Sequence, residues 1–393
     1  MSEWRECLLN DIAIVTMGQS PSGDSCNVNG IGVPLLNGPT EFGIKYPIEA
    51  QYTIQPRKHS EPKDILFCVR GSTTGRMNWS DKKYAIGRGL ASIRHKSGYE
   101  YNHYLKGILD FHLNELLSAA TGSTFPNISR EQLNKLEITC PPLPEQKAIA
   151  SVLSSLDNKI DLLHRQNKTL ESMAETLFRQ WFVEEAQNDW EEVILSDVCH
   201  RITDGAHASP KSIEDGWAMA SVKDMETWGI NYDTCRRISK EDYDELVRAD
   251  CKALKGDILI AKDGSYLKHV FLLEKDIDVV LLSSIAMLRP NGKYDPMLLT
   301  IFLKMNSTRE EMENIVTGAV IPRIVLKDFR KFPIRLPPRE YQTKALIQIS
   351  PIFRKCWLNN SQIKKLEKLR DTLLPKLMSG EVRVSYTPEE IKQ

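Results

Sequence analysis

The feature that most constrains this chain is that it says nearly everything twice. WRECLLNDIA from Trp4 returns as WEEVILSDVC from Trp190, and KDILFCVRGS from Lys63 returns as GDILIAKDGS from Gly256. ASIRHKSGYE from Ala91 returns as AMLRPNGKYD from Ala286. TGSTFPNISREQLNKLEITCPPLPEQ from Thr121 returns as TGAVIPRIVLKDFRKFPIRLPPREYQ from Thr317. The offset is nearly constant at about 190 residues, too long for a solenoid repeat, so each copy is a domain with its own core.

A long amphipathic stretch follows each proline pair. After Pro141-Pro142, one row of apolar residues is Ile149, Leu156, Leu163, Leu170 and Leu177. The second row is Leu153, Ile160, Asn167, Ala174 and Trp181. Steps of four and three keep both rows on one stripe, the seam of a coiled coil. After Pro337-Pro338 the same spacing recurs in Ala345, Ile349, Ile352, Cys356, Asn359, Ile363, Leu366, Arg370, Leu373 and Leu377. A seam on one helix needs a partner, and the second copy supplies it within the same chain. Asn167 in the seam is a register device, bought at some cost in stability.

The expected order is a domain over 1–142, a helix over 143–186, a domain over 187–338, and a helix with its tail over 339–393. Apolar alternation places strands in the first domain at Val33–Leu36, 65–69 and 90–93. A helix is expected over 101–117, and Ser129 with Gln132 forms a capping box before a short helix and a last strand at 136–139. The second domain repeats the order, with strands at 218–222, Ile258–Ala261 and 279–283 and a helix over 296–305. The fold class is therefore mixed α/β (α+β), two tandem pseudo-repeated domains with two long helices.

Composition narrows the function. At 393 residues and 41% hydrophobic, the chain reads as soluble and globular, without a membrane span or an export signal. Eight cysteines stand singly, without a C-x-x-C pair, which points to a reducing cytoplasm. Fifty-two basic and fifty-two acidic residues cancel, against a polycation that coats nucleic acid but compatible with local basic clefts.

No catalytic constellation emerges. Gly18-Gln19-Ser20-Pro21-Ser22-Gly23 lacks the spacing of a nucleophile elbow, and Gly87-Arg88-Gly89 does not complete a dinucleotide fingerprint. Cys199, His200 and His207 find no second pair at metal-ligand spacing. Glu61-Pro62-Lys63 has no preceding aspartate for a nuclease, so neither a catalytic residue nor a metal is expected.

What remains is a set of polar loops at matching places in the two copies. Gln19, Ser20 and Ser22 stand opposite Thr203, Asp204 and His207. After the DIL strand, Arg70, Ser72, Thr73, Thr74 and Arg76 stand opposite Lys262, Ser265, Tyr266 and Lys268, with Arg88 nearby in the first copy. Before the short helix lie Ser123, Thr124 and Asn127 in one copy and Arg323 in the other. Hydroxyls and backbone amides suit phosphates, while Arg, Lys, Gln and Asn suit base edges, so these are the candidate DNA-binding residues. A competing reading is a coiled-coil scaffold that joins proteins without touching DNA, supported by the neutral net charge.

In the paired TGSTFPNISREQLNKLEITCPPLPEQKAI and TGAVIPRIVLKDFRKFPIRLPPREYQTKAL segments and the two DIL strands, the chain resembles the specificity subunit of a type I restriction–modification enzyme. The resemblance covers essentially the whole length. It implies two target-recognition domains, each reading half of a split double-stranded DNA sequence, and two helices pairing antiparallel as a spacer. It also implies no catalysis in this chain. Two modification (adenine-type methyltransferase) subunits carrying S-adenosylmethionine would dock on it, and restriction/translocase subunits would join them. The second copy departs from the pattern, with PPREYQ for PPLPEQ and TGAVIPRI for TGSTFPNI.

Overall fold

The computed structural model describes residues 4–120, 126–187, 189–263, 269–312, 316–317 and 323–385. They form two compact units, one of Met1–Leu162 with Ile363–Gln393 and the other of Leu163–Gln362. Each unit therefore holds one part of each long helix, Leu143–Arg179 and Arg339–Met378.

In the first unit a four-stranded antiparallel sheet orders its strands Ala13–Met17, Leu90–His95, Ile65–Cys68 and Met77–Trp79. Ile65–Cys68 is buried on both faces, and its alternation divides it between two cores. Ile65 and Phe67 join Leu105, Ile108, Ile149 and Leu153 on the helical side. Leu66 and Cys68 join Leu36, Tyr84 and Ile86 of a second sheet. That sheet pairs Val33–Leu36 in parallel with Tyr84–Ile86, and Arg5–Leu8 pairs with Glu137–Cys140.

The second unit repeats this arrangement. Its four-stranded sheet runs Cys199–Asp204, Ile285–Pro290, Ile258–Ala261 and Val270–Leu272. Ile258 and Ile260 pack with Leu298, Phe329 and Ile349, while Leu259 and Ala261 face Ala218, Val279 and Leu281. Trp217–Ala220 pairs in parallel with Val279–Leu281. The second unit adds a helix, Lys240–Arg248, with Ser239 as its N-cap.

Identical devices tie the two copies together in chemistry. The DIL aspartate holds an arginine of the neighbouring strand, Asp64 to Arg94 at 2.7 Å and Asp257 to Arg289 at 2.9 Å. The turn before it is left-handed in both, at Lys63 (φ 70°) and Gly256 (φ 87°). Each long helix is docked by a buried glutamine. Gln146 Nε2 donates to the Pro141 carbonyl at 2.8 Å, and its Oε1 lies 3.0 Å from His95 Nε2. Gln342 Nε2 donates to the Pro337 carbonyl at 2.8 Å and to that of Lys293 at 2.9 Å. PPLPEQ and PPREYQ differ, but the glutamine and the preceding prolines keep one geometry.

The helices pair antiparallel in each unit. In the first, Arg370 Nη1 reaches Asp157 at 3.2 Å, and Leu153 and Leu377 share one core. In the second, Asn359 Nδ2 donates to Asn167 Oδ1 at 2.9 Å, and Asn167 Nδ2 to the Cys356 carbonyl at 3.3 Å. Ile149, Leu153, Ile160, Leu163, Asn167, Ile349, Ile363 and Leu377 of the expected seam are buried. Leu156, Leu170, Leu177, Ile352, Leu366 and Leu373 are half-buried. Towards the end of the first helix Phe178 is buried in place of Leu177, and Phe182 in place of Trp181, across a π-helical turn at Gln180–Glu184.

Candidate nucleic-acid interface

The candidate loops of the first unit meet at the end of its central strand. Gly18 lies so close to Gly87 that a Cβ would stand 2.1 Å from the Gly87 carbonyl oxygen, so only glycine fits. That approach lets the Gln19 amide donate to the Ile86 carbonyl at 2.9 Å and brings Ser20 Oγ to the Arg88 amide at 3.3 Å. The Val69 amide donates to the Gly89 carbonyl at 2.9 Å, adding the loop after the DIL strand. Arg70 and Asn127 then form an isolated antiparallel bridge, and Arg70 Nε donates to Asn127 Oδ1 at 3.3 Å. Thr74 Oγ1 donates to the Pro126 carbonyl at 2.8 Å and is half-buried. Gln19, Ser20, Ser22, Arg70, Ser72, Thr73, Arg76 and Arg88 are exposed. Arg76 also lies over the Phe42 ring, 6.0 Å from its centroid.

The second unit assembles the same loops with other side chains. A Cβ on Gly205 would stand 2.1 Å from the Leu281 carbonyl oxygen, and the Ala206 amide donates to that carbonyl at 2.7 Å. Asp263 and Arg323 form the isolated bridge, with Arg323 Nε donating to Asp263 Oδ1 at 3.1 Å. The Ile324 amide donates to the Lys262 carbonyl at 3.1 Å, as Ile128 does to Val69 at 2.9 Å. His207 is exposed and lies 3.4 Å from Asp204 through Nε2, while Thr203 is half-buried.

Lys262 departs from expectation. It is 4% exposed, with Nζ held 2.7 Å from Asp204 and 3.7 Å from Asp263. Strand alternation explains this: Lys262 occupies the place of Val69, whose side chain points inward, and Asp263 occupies the place of Arg70. A buried ammonium tied to Asp204 anchors the loop and is withdrawn from any ligand. Asp204 is correspondingly engaged in holding it. Ser123, Thr124, Ser265, Tyr266 and Lys268 lie outside the described residues. Sequence reasoning missed Asp263 and Ser283, which stand where Arg70 and Arg88 stand in the first unit. Superposing the DIL triplets sets Arg70 against Asp263, and superposing ASIRHKSGYE on AMLRPNGKYD sets Arg88 against Ser283, so both places are readable from the repeat.

The arrangement offers hydrogen-bonding surfaces. Among the described residues no group of three or more His, Cys, Asp or Glu side chains could hold a metal ion. Cys199 belongs to the apolar core, where burial pushes its thiol up to about 12, and His200 is exposed. Glu61-Pro62-Lys63 is the left-handed turn described above.

The family described as "Type I restriction modification DNA specificity domain" matches residues 1–172 and 187–368. The chain belongs to that family. Its two specificity domains each end inside a long helix, so the family unit comprises a sheet domain together with the helix it docks. The MjaIX type I restriction enzyme specificity subunit of Methanocaldococcus jannaschii is 25% identical over 416 aligned positions, spanning 97% of this chain and 94% of that one. The MjaX specificity subunit of the same organism is 36% identical over 157 residues, 40% of this chain and 37% of that relative. The crystal structure of the type I restriction–modification system S subunit from M. genitalium shares the fold. Its TM-score is 0.57 at 19% identity, covering 98% of this chain and 97% of that one. Among the described residues no helix is long and apolar enough to cross a membrane.

Proposed function

We propose that this chain is the non-catalytic DNA sequence-specificity subunit of a type I restriction–modification complex, reading a bipartite duplex with one half-site per unit. One observation carries the reading. A single scaffold is built twice, and the side chains at its meeting loops diverge: Gln19 against Ala206, Ser20 against His207, Arg70 against Asp263, Arg88 against Ser283, Asn127 against Arg323. Shared scaffold with divergent loops is what two readers of different sequences require, whereas a pure scaffold gains nothing from it.

In this reading the repeated sheet-and-helix units give two copies of one partner two similar docking faces. Those partners are adenine-type methyltransferase subunits, which hold S-adenosylmethionine, and restriction/translocase subunits join them in the cytoplasm. The helix pair is the spacer between half-sites. The test is methylation-site sequencing of DNA exposed to the complex of this chain with its modification subunits. A split motif with a fixed gap is expected, and methylation without sequence preference would sink the reading. A salt titration separates the competing scaffold, because phosphate contacts make log affinity fall linearly with log salt and a protein-only scaffold shows no such slope with DNA.

A further inference from the structure

The two isolated bridges carry the same chemistry with its ends exchanged. In the first unit the arginine is Arg70, at the end of the central strand, and its partner Asn127 precedes the short helix. In the second the arginine is Arg323, before the short helix, and its partner Asp263 ends the strand. Building on the DNA-reading function proposed above, we propose that Arg70 and Arg323 each read a guanine in their own half-site, with Asn127 and Asp263 as the positioning residues that aim them.

The argument rests on which donors are engaged. A guanidinium presents a side edge, through Nε, and an end edge, through the two Nη groups. Arg70 spends Nε on Asn127 Oδ1 at 3.3 Å. Arg323 spends Nε on Asp263 Oδ1 at 3.1 Å and directs Nη2 to Oδ2 at 3.5 Å. Among the described residues the two Nη groups of Arg70 and Nη1 of Arg323 make no hydrogen bond to a carboxylate or amide, and both side chains are exposed (59% for Arg323). Guanine offers O6 and N7 side by side in the major groove and accepts both prongs, whereas adenine sets a donor beside its N7. Clamping Nε restricts the rotamers of a long side chain before binding, which lowers the entropy lost on contact.

In the second unit the clamp also argues against a phosphate contact. Asp263 offsets the charge of Arg323, so the pair attracts a phosphate weakly while keeping two donors for a neutral base edge. Because the arginine enters from opposite ends of the bridge, the two units need not place their guanine at the same step of the half-site.

The test is selection from a randomised duplex library by the complex of this chain with its modification subunits. Arg70→Ala should reduce the preference at one G·C pair of one half-site about tenfold or more, and Arg323→Ala should do so in the other half only. Asp263→Asn, which retains an acceptor as in the first unit, should preserve the guanine, and Asp263→Ala should loosen it. Independently of any variant, replacing that guanine by 7-deazaguanine in the selected duplex should weaken wild-type binding. Unchanged G·C preference in both arginine variants, relaxation at an A·T pair, or indifference to 7-deazaguanine would overturn the inference. A wild-type complex that selects no sequence would instead overturn the function on which it rests.

Discussion

Beside Trp79, at a ring-centroid distance of 4.5 Å, the imidazole of His103 is pushed down to about 4 by burial, with Lys106 and Lys45 adding to the shift and Asp157 opposing it. Burial lowers His95 as well, opposed by the contact of its Nε2 with the accepting Gln146 Oε1. The unfolded imidazole titrates near 6.5, so between there and about 4 the unfolded chain binds more protons than the folded one. The stability contributed by neutral His103 is therefore present above about 6.5 and is lost as pH falls towards 4. Thermal melting should show the midpoint falling across that window, with a shallower fall in His103→Phe; an unchanged slope in the variant would refute the assignment. At this scale sequence reading was weakest. Nothing in the letters marks the half-buried His103, because its helix carries polar and apolar residues on neighbouring faces. Lys262 was misplaced because a strand reverses its facing at every residue, so a shift of one turns an outward cation into an inward one.

Elements were read far better than their side chains. Ile65–Cys68 and Ile258–Ala261 bury every residue and so stand out as apolar runs, while the short strands Gln51–Thr53 and Arg236–Ile238 carry too few apolar residues to announce themselves. Lys240–Arg248 was missed because it buries only Tyr243 and Leu246, although its Ser239 cap bonded to Asp242 is a readable start signal. The heptads gave both long helices and their pairing. They misassigned the end of the first, where a helix of 3.6 residues per turn drifts off a strict seven-residue repeat and the seam passes to Phe178 and Phe182. The Asn167–Asn359 pair inside that seam makes a sharp prediction. Asn359→Leu leaves Asn167 Oδ1 without its 2.9 Å donor in a buried setting and should cost about 1–3 kcal/mol. Exchanging both asparagines for leucine removes the orphan and should recover most or all of that loss, since apolar pairs suit the seam. Denaturant titration of the two singles and the double measures the coupling, and additive effects would show that the pair is not a unit.

For the molecule as a whole, the boundary between the two units crosses both long helices, after Leu162 in the first and before Ile363 in the second. The sequence set domain boundaries at the two proline pairs, whereas the compact units divide within the helices, because each sheet domain shares its core with the helix segments that pack on it. If the helix pair sets the gap between half-sites, its length and the DNA gap must change together. Adding one heptad to each helix, after Leu162 and after Gln362, preserves the four-three spacing of both seams and lengthens the rod by about 10 Å. At about 3.4 Å per base pair that distance corresponds to roughly three base pairs. The complex with its modification subunits should then methylate the same two half-sites with the gap longer by about three base pairs. Adding seven residues to one helix only throws the facing seams out of register and should abolish modification. A lengthened pair that still methylates at the original gap would show that the spacing is set elsewhere, by the docked partners or by bending of the DNA, and that the helices serve the two cores alone.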